Sequence, residues 1–228
     1  KNPQQKNNTG VYNFQQNKPI PSYLMAIAVG DLQFKSIDNR TGVYAEPSQI
    51  DKAHWEFAEL GKMVHVAEKL YGPYRWGRYD VLVLPPSFPY GGMENPNLTF
   101  LTPGVLAGDR SLTSLLAHEL GHSWSGNLVT NATWDDIWLN EGFTTYVEHR
   151  IGEAVFGVNE AKMQDVFSRK VLSQNIEEYG KTNPDTRLKV NTTGRNPDDG
   201  LSDIPYEKGY AFLQTIEAAV GREKMDAF

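Results

Sequence analysis

Apolar residues near the start of the chain form short runs of the length expected for β-strands. A continuous apolar run at residues 23–29 predicts a buried strand, and two alternating segments predict strands near residues 32–37 and 43–45. The preceding residues 1–18 are polar and rich in Asn, Gln and Lys, which predicts a loop. The first 45 residues therefore indicate mainly β-structure.

From Pro47 onward, apolar residues recur at helical spacing. They predict one helix that begins after Pro47 and ends at Gly72, since Pro suits a first helical turn and Gly a C-terminal stop. Ser111 is a good N-cap for a further helix. The remaining elements are predicted as strands at 80–84 and 98–101 and helices at 111–124, 136–156, 160–179 and from about Tyr206.

Composition narrows the classes of protein that fit this pattern. With 228 residues, the chain is one large domain or one domain plus a fragment. The net charge of −6 argues against a nucleic-acid surface, and no apolar run is long enough to span a membrane. The absence of cysteine excludes disulfides, thiol nucleophiles and Cys-ligated metals. Any metal must be held by His and carboxylates.

The sequence His-Glu-Leu-Gly-His at positions 118–122 carries the most specific chemistry. Two histidines four residues apart on a helix project from one face and can bind one ion, typically zinc. Glu119 lies beside these ligands, where it can reach a water on the ion. The alternative is that His118 and His122 are ordinary surface or core residues of an amphipathic helix.

A zinc site of this kind needs a third protein ligand. The extended motif with a third histidine is excluded, because Ser125 and Leu128 stand where it requires Gly and His. Glu141, nineteen positions after His122 in the next predicted helix, is the remaining common solution. Glu148 is two turns further on the same face. It is either a carboxylate that holds a ligand histidine or a solvated helix charge.

Three motifs together resemble the zinc aminopeptidases, a gluzincin family that includes a leukotriene-A hydrolase and aminopeptidase B branch. They are Pro-Tyr-Gly-Gly-Met-Glu-Asn at 89–95, the motif at 118–122, and Asn-Glu-Gly at 140–142. Segments 84–100, 124–134 and 205–209 are most similar to that branch. The resemblance implies an α+β, thermolysin-like fold: a mainly helical zinc metallopeptidase domain with a small β-sheet, preceded by the end of a β-domain.

The resemblance also implies roles for residues that spacing alone leaves open. Tyr90, Gly91, Gly92 and Met93 would bind substrate, with the backbone of the two glycines along the peptide. Glu94 would hold the free α-ammonium group, a role that suits a desolvated carboxylate.

Tyr206 matches the family tyrosine that stabilises the oxyanion. In the leukotriene-A hydrolase branch, a second tyrosine five residues earlier serves an epoxide reaction, but this chain has Leu201 there. Asp198 matches the aspartate of the same reaction. Without that tyrosine, we do not expect efficient leukotriene formation.

By the same resemblance, residues 1–35 would end an N-terminal β-domain, residues 36–45 would form a linker strand, and residues 46–228 would form a truncated catalytic domain. Contacts with flanking N- and C-terminal domains are then expected in the full-length protein. The resemblance slightly favours the cytoplasm, with periplasmic and secreted locations left open.

The expected function is zinc-dependent removal of N-terminal residues from short peptides with a free N-terminus, by Glu119-assisted attack of a metal-bound water on the peptide bond. One zinc ion per chain is expected. The alternatives are an epoxide hydrolase, a thermolysin-type endopeptidase, and a catalytically inactive zinc-binding fragment.

Overall fold

A computed structural model describes residues 10–196 and 202–228 of the chain. These residues belong to two compact units, residues 10–61 with 76–112, and residues 62–75 with 113–196 and 202–228. Seven α-helices and one five-stranded sheet occur within the described residues. The prediction of a mainly helical α+β fold with a small sheet is confirmed.

The sheet lies in the first unit and has the strand order β1-β2-β3-β5-β4. Pairing is parallel for β2 with β3 and for β3 with β5, and antiparallel at both edges. The strands are β1 (Gln33–Ser36), β2 (Thr41–Ala45), β3 (Tyr79–Val83), β4 (Gly92–Met93) and β5 (Leu98–Leu101).

The burial of β3 and β4 agrees with their positions in the sheet. Every residue of β3 is buried, as expected for a central strand with parallel neighbours on both sides. The two-residue β4 contains the second glycine of the Gly-Gly-Met-Glu-Asn segment and forms an edge of the sheet. This edge therefore presents backbone groups that no described strand pairs with on its outer side.

The prediction of a buried strand at residues 23–29 is wrong. Residues Ser22–Leu24 form a 3₁₀ turn in which Leu24 is buried, but the chain that follows pairs with no strand among the described residues. Met25, Ile27 and Val29 are 78%, 89% and 93% exposed. An apolar run predicts burial only where a neighbouring element is present to cover it.

The single helix predicted between Pro47 and Gly72 is divided in two, α1 (Ile50–Glu56) and α2 (Leu60–Tyr71). The break lies at residues 57–59, where the chain makes a turn and the Leu60 N–H donates to the Phe57 carbonyl at 2.9 Å. Gly61, in the first turn of α2, lies close to the β1–β2 connection, because a Cβ built there would clash with a carboxylate oxygen of Asp38. Gly72, with φ of +85°, ends α2 as predicted.

The second unit contains five further helices. Its apolar core includes Tyr146, Tyr210 and Leu213. No helix within residues 10–196 and 202–228 is both long and apolar enough to cross a bilayer. The helices are α3 (Ser114–Gly121), α4 (Trp138–Phe156), α5 (Val158–Tyr179), α6 (Gly209–Val220) and α7 (Arg222–Ala227).

Two helix starts differ from the sequence prediction. Helix α3 begins at Ser114, and Ser111 lies in a turn where its N–H donates to Asp109. The last predicted helix is preceded by a π-helical turn, Ile204–Lys208, that contains Tyr206. Such turns insert one extra residue per turn and occur often at functional sites.

Candidate active site

Three side chains from α3 and α4 converge on one point. The Nε2 atoms of His118 and His122 are 3.2 Å apart, and each lies 3.3 Å from Oε2 of Glu141. All three residues are buried. The structure thus brings together the three residues that the sequence predicts as metal ligands.

Close packing of the two helices makes this convergence possible. Gly121 lies between the two histidines in sequence, and a Cβ there would be 3.1 Å from Val147 and 3.2 Å from Thr144, both in α4. Because Gly121 has no side chain, α3 can approach α4 closely enough for its histidines to meet Glu141.

The outer nitrogens of both imidazoles have fixed partners. Nδ1 of His118 is 3.0 Å from Oε2 of Glu148. Nδ1 of His122 donates to the carbonyl oxygen of Ser125 at 2.9 Å, and the Thr144 hydroxyl lies 3.1 Å from the same nitrogen. These contacts favour a proton on Nδ1 of each ring, so that both Nε2 lone pairs point toward Glu141.

This donor set fits a tetrahedral divalent cation. Ligands bound at 2.0–2.1 Å with tetrahedral angles are about 3.3 Å apart, which matches the observed separations of 3.2 and 3.3 Å. Two imidazole lone pairs and a carboxylate that face one another repel unless a cation or proton lies between them. His118, His122 and Glu141 therefore form a site suited to a metal ion.

The pKa shifts of His118 and Glu141 also indicate that this site favours positive charge. Burial by itself lowers the pKa of His118, but hydrogen bonds with Glu141 and Glu148 outweigh it and raise the pKa well above 6.5. Burial raises the pKa of Glu141, but the charge of His122 and hydrogen bonds with both histidines lower it to about 2. A proton and a metal ion thus compete for the same site.

Glu119 and Tyr206 lie beside these ligands. Glu119 is buried, with a carboxylate oxygen within 4.8 Å of a ring nitrogen of His122. The Tyr206 ring stacks on the ring of His118, with centroids 5.7 Å apart and an interplanar angle of 29°. Both residues therefore lie close to the three converging side chains.

Glu207 follows Tyr206 in the π-helical turn and is also largely buried. Burial raises the pKa of Glu207 to about 7, against the lowering effect of a hydrogen bond from Ser168. The negative charges of Glu148 and Asp203 raise the pKa further. No motif in the sequence marks this carboxyl group as part of the site.

The remaining predicted residues lie in the first unit, at the edge of its sheet. The Gly91 carbonyl accepts a hydrogen bond from the Thr102 N–H at 2.8 Å, which fixes the start of β4. Tyr90 is exposed and its ring meets Phe88 edge to face. Met93 completes β4 and Glu94 follows it. Residues Asp198 and Leu201 lie outside the described part of the chain.

Residues 55–228 match the peptidase family M1 domain. The chain belongs to this family. The M1 family is metal-dependent, and its metallopeptidase chemistry agrees with the His118, His122 and Glu141 site.

Relatives of this M1 chain carry two different names. It is 50% identical over 218 residues to a leukotriene A-4 hydrolase of Xenopus laevis, covering 96% of this chain and 36% of the relative. It is 47% identical over 224 residues to a leucine aminopeptidase 2 of Ajellomyces capsulatus, covering 98% of this chain and 36% of that relative. The M1 chain thus spans only about a third of each relative's length.

Solved structures agree with the family assignment. Native yeast leukotriene A4 hydrolase superimposes with a TM-score of 0.92 at 42% identity, covering 98% of this chain and 36% of that one. The same yeast enzyme in complex with bestatin gives 0.90 at 43% identity, covering 94% and 35%. The predicted thermolysin-like fold and the resemblance to the zinc aminopeptidases are confirmed.

Sequence reasoning missed the groups that hold His122. The Ser125 carbonyl is a backbone group, and no residue type marks it in the sequence. Thr144 had one usable signal, since it lies three residues after Glu141 on the same helical turn.

Proposed function

We propose that this chain carries the catalytic site of a zinc-dependent aminopeptidase that removes N-terminal residues from short peptides. The observation that carries the proposal is the set of three donor atoms from His118, His122 and Glu141, all within 3.3 Å of one another. The relatives named leucine aminopeptidase support an exopeptidase. We keep residues 46–228 as the proposed catalytic domain, with flanking domains in the full-length protein.

His118, His122 and Glu141 would hold the zinc ion. Zinc supplies Lewis acidity and makes water a stronger acid near neutral pH. Two nitrogens and one carboxylate oxygen are the donors that catalytic zinc sites use. Glu148 would hold His118 in the orientation that directs Nε2 toward the ion.

Glu119 would act as the general base. Its carboxylate accepts a proton from the attacking water and passes it to the nitrogen of the leaving amine. Tyr206 would donate a hydrogen bond from its hydroxyl to the oxyanion that develops on the scissile carbonyl. The stack of Tyr206 on His118 supports this role, because it places the phenol next to a ligand residue.

Recognition of the free N-terminus is proposed for Glu94. A carboxylate binds a terminal ammonium group through charge-assisted hydrogen bonds. Gly91 and Gly92, with Tyr90 and Met93, would bind the peptide backbone along the sheet edge, where β4 has no strand on its outer side among the described residues. A peptide can add to such an edge as an extra strand.

The deciding experiment compares free and N-blocked substrates on the purified full-length protein. We expect one zinc ion per chain, release of N-terminal residues from free aminoacyl-anilides, and no reaction with N-acetylated ones. Hydrolysis of blocked peptides at internal bonds would instead indicate a thermolysin-type endopeptidase. A protein that holds zinc and releases nothing would contradict the proposal.

A substitution of Glu119 tests its role as the general base. Glu119→Gln should keep the zinc content and lose about 10²- to 10⁴-fold in kcat. Rates like those of the wild type would exclude Glu119 as the base. Bestatin, which the yeast relative binds, serves as a ligand probe of the wild-type site.

Epoxide hydrolysis is not the favoured activity, because the relatives include several leucine aminopeptidases and Leu201 stands at the position of the second tyrosine. A lipid-epoxide assay of the same preparation separates the two activities. We expect epoxide turnover to be weak or absent while aminopeptidase turnover is present.

A further inference from the structure

Two glycines make a direct backbone contact beside the candidate site. A Cβ built on Gly142 would lie 2.8 Å from the Cα of Gly209 and 3.1 Å from the Pro205 carbonyl oxygen. A Cβ built on Gly209 would lie 2.6 Å from the Cα of Gly142. Real Cβ atoms do not approach other atoms this closely, so each position accepts only glycine without a backbone shift.

The contact joins the segments that carry two different functional groups. Gly142 directly follows Glu141 in α4, and Gly209 begins α6 directly after the π-helical turn that carries Tyr206. Glycine within a helix is destabilising relative to alanine, because it loses more backbone freedom on folding. A helix-interior glycine therefore needs a local reason, and here the reason is the close approach of two backbones.

We propose that Gly142 and Gly209 are positioning residues that set the place of the Tyr206 hydroxyl relative to the metal ligands. The inference rests on the proposed function, in which Tyr206 donates to the developing oxyanion. It assigns these two glycines a part in catalysis through Tyr206, in addition to their place in the packing of α4 against α6.

The contact between Gly142 and Gly209 is rigid, because the atoms that meet there belong to the backbone. A flexible side chain could turn away from an added methyl group, but the Gly209 Cα and the Pro205 carbonyl cannot move without the whole π-helical turn. The turn would then carry the Tyr206 ring away from His118, on which it now stacks at 5.7 Å. A displacement of about 1 Å can cost about 10²-fold in rate.

Alanine substitutions at three glycines test the proposal on the full-length protein. Gly142→Ala and Gly209→Ala should lower kcat about 10- to 100-fold, with KM and zinc content nearly unchanged. Gly152→Ala is the matched control, because Gly152 lies in the same helix as Gly142 and a Cβ there meets no atom within 4 Å. The control should keep wild-type kcat.

A double-mutant cycle separates positioning of Tyr206 from general damage. In the Tyr206→Phe background, Gly209→Ala should lower kcat by less than about twofold, because the hydroxyl that it displaces is already absent. Additive losses would overturn the proposal. Equal kcat in wild type, Gly142→Ala and Gly209→Ala would overturn it as well.

A spectroscopic readout keeps the test independent of activity. With 3-fluorotyrosine at position 206 of the metal-free protein, the fluorine resonance should shift in Gly142→Ala and Gly209→Ala and stay in place in Gly152→Ala. If the wild type shows no peptidase activity, the proposed function fails. The fluorine resonance still shows whether Gly142 and Gly209 position Tyr206. An unchanged resonance in both variants, or loss of a cooperative thermal transition in both, would overturn the proposal.

Discussion

The imidazole of His118 and the carboxylate of Glu148 face each other with Nδ1 and Oε2 3.0 Å apart. The two residues are thirty positions apart, on α3 and α4, and Glu148 lies two helical turns after Glu141. The Glu148 carboxylate thus orients the His118 ring through its contact with Nδ1, while Nε2 of the same ring faces His122 and Glu141. Partners of this kind raise the basicity of a ligand histidine and fix its orientation.

Removal of this partner should weaken metal binding. We expect Glu148→Gln to reduce zinc affinity about 10- to 100-fold, as is typical when such a carboxylate is lost. Competition with a chelating dye measures the affinity directly. Glu178→Gln, on the exposed side of α5, is the control and should have no effect. Equal zinc affinities for Glu148→Gln and Glu178→Gln would show instead that Glu148 is a solvated helix charge.

Zinc affinity should fall as pH falls. The pKa of His118 is raised well above 6.5 by Glu141 and Glu148, despite the opposing effect of burial. Below that pKa a proton must leave His118 before Nε2 can bind metal, so affinity should drop about tenfold per pH unit.

The same dye competition, repeated between pH 6 and pH 8.5, gives the slope. Glu148→Gln removes one of the groups that raise the pKa of His118, so the fall in affinity should begin at a lower pH in that variant. A pH-independent affinity in the wild type would contradict the assignment of His118 as a ligand that binds protons in the metal-free state.

Sequence could predict the features of the site that depend on helical spacing. His118 and His122 are one turn apart in any α-helix, and the motif carries this spacing directly. Glu141 lies in the next helix, so its place beside the histidines depends also on how that helix packs against the first. The structure brings the three donors together, and Gly121 shows why α3 and α4 approach so closely.

Features that depend on contacts between distant residues could not be predicted in the same way. Gly61, in the first turn of α2, lies against Asp38, twenty-three positions earlier. The contact of Gly142 with Gly209 spans sixty-seven positions. Residues 23–29 have the composition of a strand, but composition does not reveal whether a neighbouring strand is available.

Loss of the Tyr206 hydroxyl should destabilise the transition state and leave zinc binding unchanged. Tyr206→Phe keeps the ring that stacks on His118, so zinc content should not change. We expect kcat to fall about 10²- to 10³-fold with KM nearly constant, because the hydrogen bond forms only as the oxyanion develops. Steady-state kinetics with an aminoacyl-anilide measure both parameters.

Tyr179→Phe is the control for this variant, since Tyr179 is an exposed residue at the end of α5. Its kinetics should equal those of the wild type. A rise in KM with constant kcat in Tyr206→Phe would show instead that the hydroxyl binds substrate in the ground state, which would remove it from the proposed mechanism.

Glu207 should make the stability of the protein depend on pH in the direction opposite to that of most carboxylates. Burial raises the pKa of Glu207 to about 7 in the folded chain, from 4.5 as the ordinary value. The folded state therefore holds this proton more tightly than the unfolded state does. The stabilisation is complete below pH 4.5 and is lost as pH rises toward 7.

Glu207→Gln keeps the shape of the neutral acid and removes its charge. We expect the variant to be more stable than the wild type by up to roughly 3 kcal/mol at pH 8, and by less than about 1 kcal/mol at pH 5. Thermal unfolding at the two pH values measures the difference, with Glu177→Gln on the exposed side of α5 as the control. A variant that is destabilised equally at both pH values would show that the Glu207 carboxylate is needed in its charged form, most directly as the acceptor of the Ser168 hydroxyl.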